Sequence, residues 1–292
     1  MIILSSLPFD GKSTLAWLMA VLCTKGGCEF LGNKVNRCGV LYCNSEETLP
    51  DVRRILTRLG YNDTDEKLLV LDLRDVADKF AEIAKCLEAN PEIGLVVFET
   101  LDDVMEMPDL NSNSDCRRRF KLMDKKLGKY YHRIAIVALH HLKKKKIDSL
   151  GSRMIGGTYL RGRTSANWFL HQNSDNDPRR IFSTVVRHGK KIPPTFLNYD
   201  EATGVSTLGS TMADERQHSK EETRGATLHR IQEFLQRKPD STRDQCLADV
   251  GGNSRVARDV FDKAVRSCLI SRMSVGKKMC HRWVGLPQEV AA

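Results

Sequence analysis

Apolar residues gather in short unbroken runs along the first two thirds of the chain, each followed by a stretch with helical spacing. "MIILSSL" is the first run, and "STLAWLMAVLCTKG" continues it as an apolar helix that stops at Gly26 and Gly27. "CGVLYCNS" predicts a second strand, with an amphipathic helix through "LPDVRRILTRLG". "KLLVLDL" is a third strand, "VADKFAEIAKCLEAN" a helix, and "IGLVVFET" and "RIAIVALHH" are two more strands. Val/Ile/Leu runs without polar alternation are buried on both faces. The expected fold class over 1–208 is therefore α/β with a mostly parallel central sheet.

From about Leu208 the period disappears, and "LGSTMADERQHSKEETRGAT" predicts a polar, flexible linker over 209–227. A compact second unit is expected over 228–286, followed by a tail, 287–292. Leu228, Ile231, Phe234 and Leu235 share one helix face. Ser241 is placed to cap a second helix that buries Cys246, Leu247 and Val250. "GGNS" turns into a third helix, with Val256, Val260, Phe261 and Val265 inward and Arg255, Arg258 and Lys263 outward. "LISRMS" and "MCHRWVG", joined through Lys277 and Lys278, read as a hairpin. Three helices and a hairpin predict a winged helix-turn-helix, with Ser254–Arg266 as recognition helix.

Composition changes this picture little: 41% hydrophobic and 28% charged residues describe an ordinary globular protein. No apolar run approaches the length of a membrane span, and the N-terminal run is too short for a signal peptide. A cytoplasmic protein without a membrane partner is expected. Nine scattered cysteines read as reduced thiols. Cys23 and Cys28, or Cys38 and Cys43, have a metal-like spacing, but Cys23 falls on a helix and Cys43 in a strand, as core residues do. Charge is more telling. The chain carries +9, and between Thr227 and Leu286 twelve Lys/Arg stand against six Asp/Glu. That excess favours phosphate contacts by the small unit, with protein contacts as its alternative use.

"SSLPFDGKSTLA" joins the first strand to the first helix. A phosphate loop needs backbone N–H groups around the anion, a lysine for the β and γ oxygens, and a hydroxyl for magnesium. Gly11, Lys12 and Ser13 supply these, in a loop completed by Pro8, Phe9, Asp10 and Thr14. The helix start turns its positive end to the anion. Ser6 stands where a first glycine is expected, and a left-handed backbone there costs serine about 1 kcal/mol. A chance "GKST" at a strand–helix turn is the plain alternative.

Carboxylates end two strands. "LVVFET" finishes at Glu99, where a magnesium-holding strand normally ends in aspartate, and Asp102 and Asp103 lie close by. "NSEET" offers Glu46, with Glu47 second, as the base that polarises the attacking water. A helix-start acid favoured by the dipole is the equal alternative. His140 and His141 end the next strand, at the edge where a neutral imidazole senses a γ-phosphate. The Lys143–Lys146 run reads as a solvated loop, placed where it can also meet a polyanion.

In this order the motifs resemble the RecA-like P-loop ATPases and, within them, the plasmid and phage RepA-type hexameric replicative helicases. The likeness runs through "SLPFDGKSTLA", "GVLYCNSEETLPDVRRILTRLG", "GLVVFETLDDV", "VALHHLKKK", "GGTYLRGRTSANWFL" and "STVVRHGKKIPPTFLNYDEATG", covering 1–208. It implies a homo-oligomeric ring, a hexamer in that family, with ATP and Mg²⁺ at the subunit interfaces. DNA would pass through the ring as a single strand and be met as a duplex by the winged helix. Lys12 and Ser13 would take the nucleotide and magnesium, Glu99 the Walker B role, Glu46 the base, and His140 or His141 the sensor. A cation from the neighbouring subunit would come from Arg161, Arg187, Lys190 or Lys191. Ser6, Glu99 and Arg163 depart from the family pattern. Met1 also begins directly on the strand before the loop, so the chain is expected to be truncated or to assemble differently.

Two classes of function follow: an ATP-driven motor on single-stranded DNA, or a nucleotide-switched DNA-binding protein that does not unwind. A third is a structural protein that binds nucleotide without hydrolysing it.

Overall fold

A computed structural model of the protein describes residues 1–62, 67–106, 112–142, 158–174 and 176–285. The Lys143–Lys146 run and the tail lie outside them. Two compact units divide the chain, Met1–Met212 and Ala213–Ala292. Among the described residues no helix is long and apolar enough to cross a membrane.

In the larger unit β1 (Ile2–Ser6) leads into α1 (Lys12–Lys25), then a short hairpin of β2 (Glu29–Phe30) and β3 (Asn33–Lys34). β4 (Gly39–Asn44), α2 (Leu49–Arg58), β5 (Leu68–Asp72) and α3 (Lys79–Ala89) follow. Next come β6 (Ile93–Glu99), α4 (Leu101–Met105), α5 (Asn113–Leu127), β7 (Ala135–His141) and α6 (Thr158–Arg163). Four strands close the unit: β8 (Ala166–Ser174), β9 (Asp177–Val186), β10 (Thr195–Tyr199) and β11 (Ser206–Thr211).

All but β2 and β3 join one sheet in the order β11-β10-β9-β8-β1-β7-β6-β4-β5. From β8 to β5 neighbouring strands are parallel, and β9, β10 and β11 add antiparallel pairs. Side chains alternate strictly between two cores. Ile3, Leu41, Cys43 and Phe98 face α3, α4 and α5, whereas Leu4, Val40, Tyr42 and Val97 face α1 and α2. This double burial is why the strands read as continuous apolar runs.

The smaller unit holds α7 (Met212–Arg237), β12 (Ser241–Thr242), α8 (Arg243–Val250), α9 (Ser254–Arg266), β13 (Ile270–Val275) and β14 (Lys278–Trp283). Its strands pair β12-β14-β13 around a core of Ile231, Phe234, Leu235, Cys246, Val250, Val260, Phe261 and Ile270. The expected linker over 209–227 is instead ordered: residues 209–211 end β11, and 212–227 form the first 16 of the 26 residues of α7. Ala, Glu, Gln, Lys and Arg dominate that stretch and are good helix formers, so it needs no apolar face to extend the helix behind it. Thr242, not Ser241, caps α8, in a capping box with Gln245. On α9 the buried positions are Ala257, Val260, Phe261 and Ala264, with Val256 and Val265 at the margins.

Candidate active site

The phosphate loop takes its shape from two left-handed positions, Phe9 (φ 68°) and Gly11 (φ 92°). Glycine holds that conformation without a Cβ penalty, while at Phe9 it costs on the order of 1 kcal/mol. Ser6 does not need it. It ends β1 in ordinary strand backbone, and its hydroxyl donates to the Leu7 carbonyl at 2.9 Å. Pro8 and Phe9 are exposed, and Asp10 turns back so that its carboxylate accepts the Leu7 N–H at 3.3 Å. Lys12 opens α1 with 7% of its surface exposed, and no carboxylate pairs with it among the described residues. Ser13 and Thr14 follow, half-buried, on the same first turn.

Glu99 ends β6 on the α1 face of the sheet, two residues beyond Val97. It is fully buried, and neither carboxylate oxygen has a hydrogen-bond partner. Burial pushes its carboxyl up to about 6, against the nearby Ser13 and Tyr42 hydroxyls, which favour the charged form. Neither hydroxyl completes a bond to it. Tyr42 is held by stacking on Trp17, centroids 3.5 Å apart and planes 8° from parallel. A buried, unpaired carboxylate beside a serine hydroxyl is a hard-oxygen donor set that fits magnesium. Asp102 and Asp103 are engaged elsewhere: Asp102 with His140, Asp103 accepting from Thr100 (2.8 Å) and Ser45 (3.1 Å).

β4 ends opposite β6, with Asn44 in register with Glu99. The Asn44 amide clamps the next turn, donating to the Glu47 carbonyl (2.8 Å) and accepting its N–H (3.1 Å). This leaves Glu46 exposed and Glu47 half-buried. Contact with His141, aided by the Lys12 charge, holds the Glu46 carboxyl below its ordinary value despite partial burial. Burial, then Asp51 and Glu46, pushes Glu47 up.

Strand alternation separates the histidine pair. β7 lies between β1 and β6, and Ser5 and Ser6 face His140 and His141 in register. His141 shares the α1 face with Leu139 and meets Glu46, Nε2 to Oε1, at 3.7 Å. His140 turns to the opposite face with Ala138, where its Nδ1 lies 2.9 Å from Asp102 Oδ1. The pair therefore does not converge on the loop; His141 alone of the two does.

Three of the candidate cations, Arg187, Lys190 and Lys191, are not at the loop. β9 runs against β8, so its end reaches the edge of the sheet away from Ser6. Arg187 lies there, donating to the Gly162 carbonyl, with Lys190 and Lys191 exposed in the following turn. Arg161 lies on α6; its side chain is outside the described residues. The start of β9 brings up a residue that the sequence motifs passed over. Arg180 donates from Nε to the Asp10 carbonyl at 3.0 Å and from Nη2 to that of Phe9 at 3.3 Å. Only strand direction reveals it, since "DPRRIF" has no motif character.

In the smaller unit Arg255, Arg258 and Lys263 project from α9, and Lys277 and Lys278 occupy the turn and start of β14. All five are exposed and unpaired among the described residues. Asp259 and Asp262, on the same helix, are neutralised by Arg224 (2.7 Å) and Arg243 (2.9 Å).

Comparison with known proteins bears on the larger unit. No curated protein matches the chain. Among solved structures it is similar to a KaiC-like protein from the hyperthermophilic archaeon Pyrococcus horikoshii OT3, with a TM-score of 0.50 and 14% identity. The match covers 71% of this chain and 88% of that one, and at this identity it speaks for the fold. The family model of the AAA domain matches residues 1–146, half of the chain and the half that carries the loop, Glu46, Glu99 and both histidines. This chain belongs to the AAA domain family, on an α/β fold similar to that of the KaiC-like protein.

Proposed function

We propose that the protein is a magnesium-dependent ATPase that acts on DNA as a ring of identical subunits, of the replicative helicase type. The observation that carries the ATPase is the pair of buried, unpaired opposite charges on the α1 side of the sheet, Lys12 at the start of α1 and Glu99 at the end of β6. Each costs free energy without a partner. A triphosphate with its metal supplies both partners at once. Ser13 and Glu99 would hold the magnesium, which when bound screens the charge on the phosphates. Lys12 and the loop N–H groups grip the phosphates, Glu46 accepts the proton of the attacking water, and His141 reports on the γ-phosphate through its contact with Glu46. Arg187 or Lys190, at the edge remote from the chain's own loop, or Arg161, is the proposed donor to a neighbour's site.

The second unit is proposed to be a winged helix-turn-helix. α8 and α9 would form the helix-turn-helix, α9 would be the recognition helix, and β13–β14 the wing. Five unpaired exposed cations on α9 and the wing support a nucleic-acid partner.

Steady-state ATP hydrolysis with magnesium tests this, with and without single-stranded DNA, beside Lys12→Ala and Glu46→Gln. DNA-stimulated turnover lost in both variants is expected. Tight ATP binding with no turnover, indifferent to DNA, would sink the motor and leave a nucleotide-switched DNA-binding protein.

A further inference from the structure

Arg180 approaches the phosphate loop from β9, in register with Gln172 on β8 and Leu197 on β10. Its guanidinium is spent on carbonyls: Asp10 through Nε, Phe9 through Nη2 and Pro178 through Nη1. No carboxylate pairs with it among the described residues, so its charge stays uncompensated, half-buried beside the loop. Its neighbour Arg179 behaves differently, pairing with Asp177 at 2.8 Å and lying over the Phe196 ring.

A trans peptide directs its N–H opposite its C=O. The Phe9 and Asp10 carbonyls belong to the peptides whose N–H groups are those of Asp10 and Gly11. Holding both carbonyls therefore turns both N–H groups away from Arg180, toward the inside of the loop. Asp10 N–H donates a long bond to the Leu7 carbonyl, 3.4 Å. Apart from the Asp10 carboxylate, which accepts the Leu7 N–H at 3.3 Å, the loop's own side chains do little to impose this shape. Phe9 is left-handed yet 97% exposed, so packing of its ring does not hold the turn, and position 6 is a serine in plain strand backbone.

We infer that Arg180 is a positioning residue of the nucleotide site. It holds the loop N–H groups on the phosphates and places a positive charge behind them, within the same subunit as the loop. The inference rests on the reading of that loop as a triphosphate site.

Calorimetric titration with Mg-ATP and Mg-ADP, together with steady-state kinetics, tests it on the full chain: wild type, Arg180→Ala, Arg180→Lys and Lys12→Ala. Arg180→Ala is expected to weaken Mg-ATP binding on the order of 10- to 100-fold, as loss of two charge-assisted bonds to the loop requires. The loss should fall on KM more than on kcat. A purely structural role would instead lower the folded fraction and kcat, leaving KM unmoved. Arg180→Lys keeps the charge but not the two-pronged grip, so its KM should fall between the two. Wild-type affinity in Arg180→Ala, with binding lost in Lys12→Ala, overturns the inference and leaves the triphosphate site standing. No ATP binding by the wild type overturns both. If Arg180→Ala does not fold, Arg180→Lys decides: a wild-type KM overturns the grip, and a raised KM at unchanged kcat supports it.

Discussion

Nε2 of His141 lies 3.7 Å from Oε1 of Glu46, across the gap between the ends of β7 and β4. It is the leading cause of the depressed Glu46 carboxyl pKa, ahead of Lys12. A base with a lowered pKa stays charged further into acid. Removing the imidazole by His141→Ala should raise the Glu46 pKa and move the acid limb of kcat to higher pH. Glu46→Gln should abolish that limb along with turnover. An acid limb that stays in place in His141→Ala would separate the two residues functionally.

Glu99 has the opposite sign. Its folded-state pKa is raised from 4.5 to about 6, chiefly by burial. The folded state therefore prefers the protonated acid. Its contribution to stability is full below the unfolded value and is lost as pH rises through about 6, a difference of about 2 kcal/mol. Without nucleotide, thermal melts should show stability falling from about pH 4.5 to about pH 7, with this component of the slope absent in Glu99→Gln. Magnesium with ATP should stabilise the wild type at neutral pH and Glu99→Gln much less. An unchanged slope in the variant would place the titration elsewhere.

Unpaired cations on α9 and the wing predict a salt signature. Arg255→Ala, Arg258→Ala and Lys277→Ala combined should weaken duplex binding across sequences. Every phosphate that these side chains no longer neutralise should lower the slope of log K against log salt by about 0.9. Fluorescence anisotropy between low and moderate salt measures it. An unaltered slope with unaltered affinity would assign this face to a protein partner.

Thr242 and Gln245 cap α8 reciprocally, with the Gln245 N–H at 3.3 Å from Thr242 Oγ1 and the Thr242 N–H at 2.9 Å from Gln245 Oε1. Thr242→Ala should cost about 1 kcal/mol in urea unfolding of the smaller unit, whereas Ser241→Ala should cost less. Equal costs would mean that the box contributes nothing beyond the side-chain bond of Ser241 to the Lys238 carbonyl.

The loop, the strand-end carboxylates and the succession of the strands β1, β4, β5, β6 and β7 were legible in the sequence for a local reason. An apolar run bounded by "DGKST", or one ending in glutamate, carries its own signal. The helix over 212–227 was not, because a helix without a buried face has no period to read, and helix-forming polar residues look like a linker.

Within the site, the chain order by itself determined which residue types reach the carboxyl edge of the sheet. Which of them meet was decided only by the tertiary structure. His140 and His141 are adjacent in sequence yet lie on opposite faces, because strand side chains alternate; which face belongs to the nucleotide depends on where α1 packs. Arg180 and Arg187 stand at opposite ends of one strand, and the antiparallel direction of β9 brings the first onto the loop and sends the second away from it. Strand direction and the face a helix covers are long-range facts. They are set by burial across the whole sheet, and no local stretch of residues encodes them.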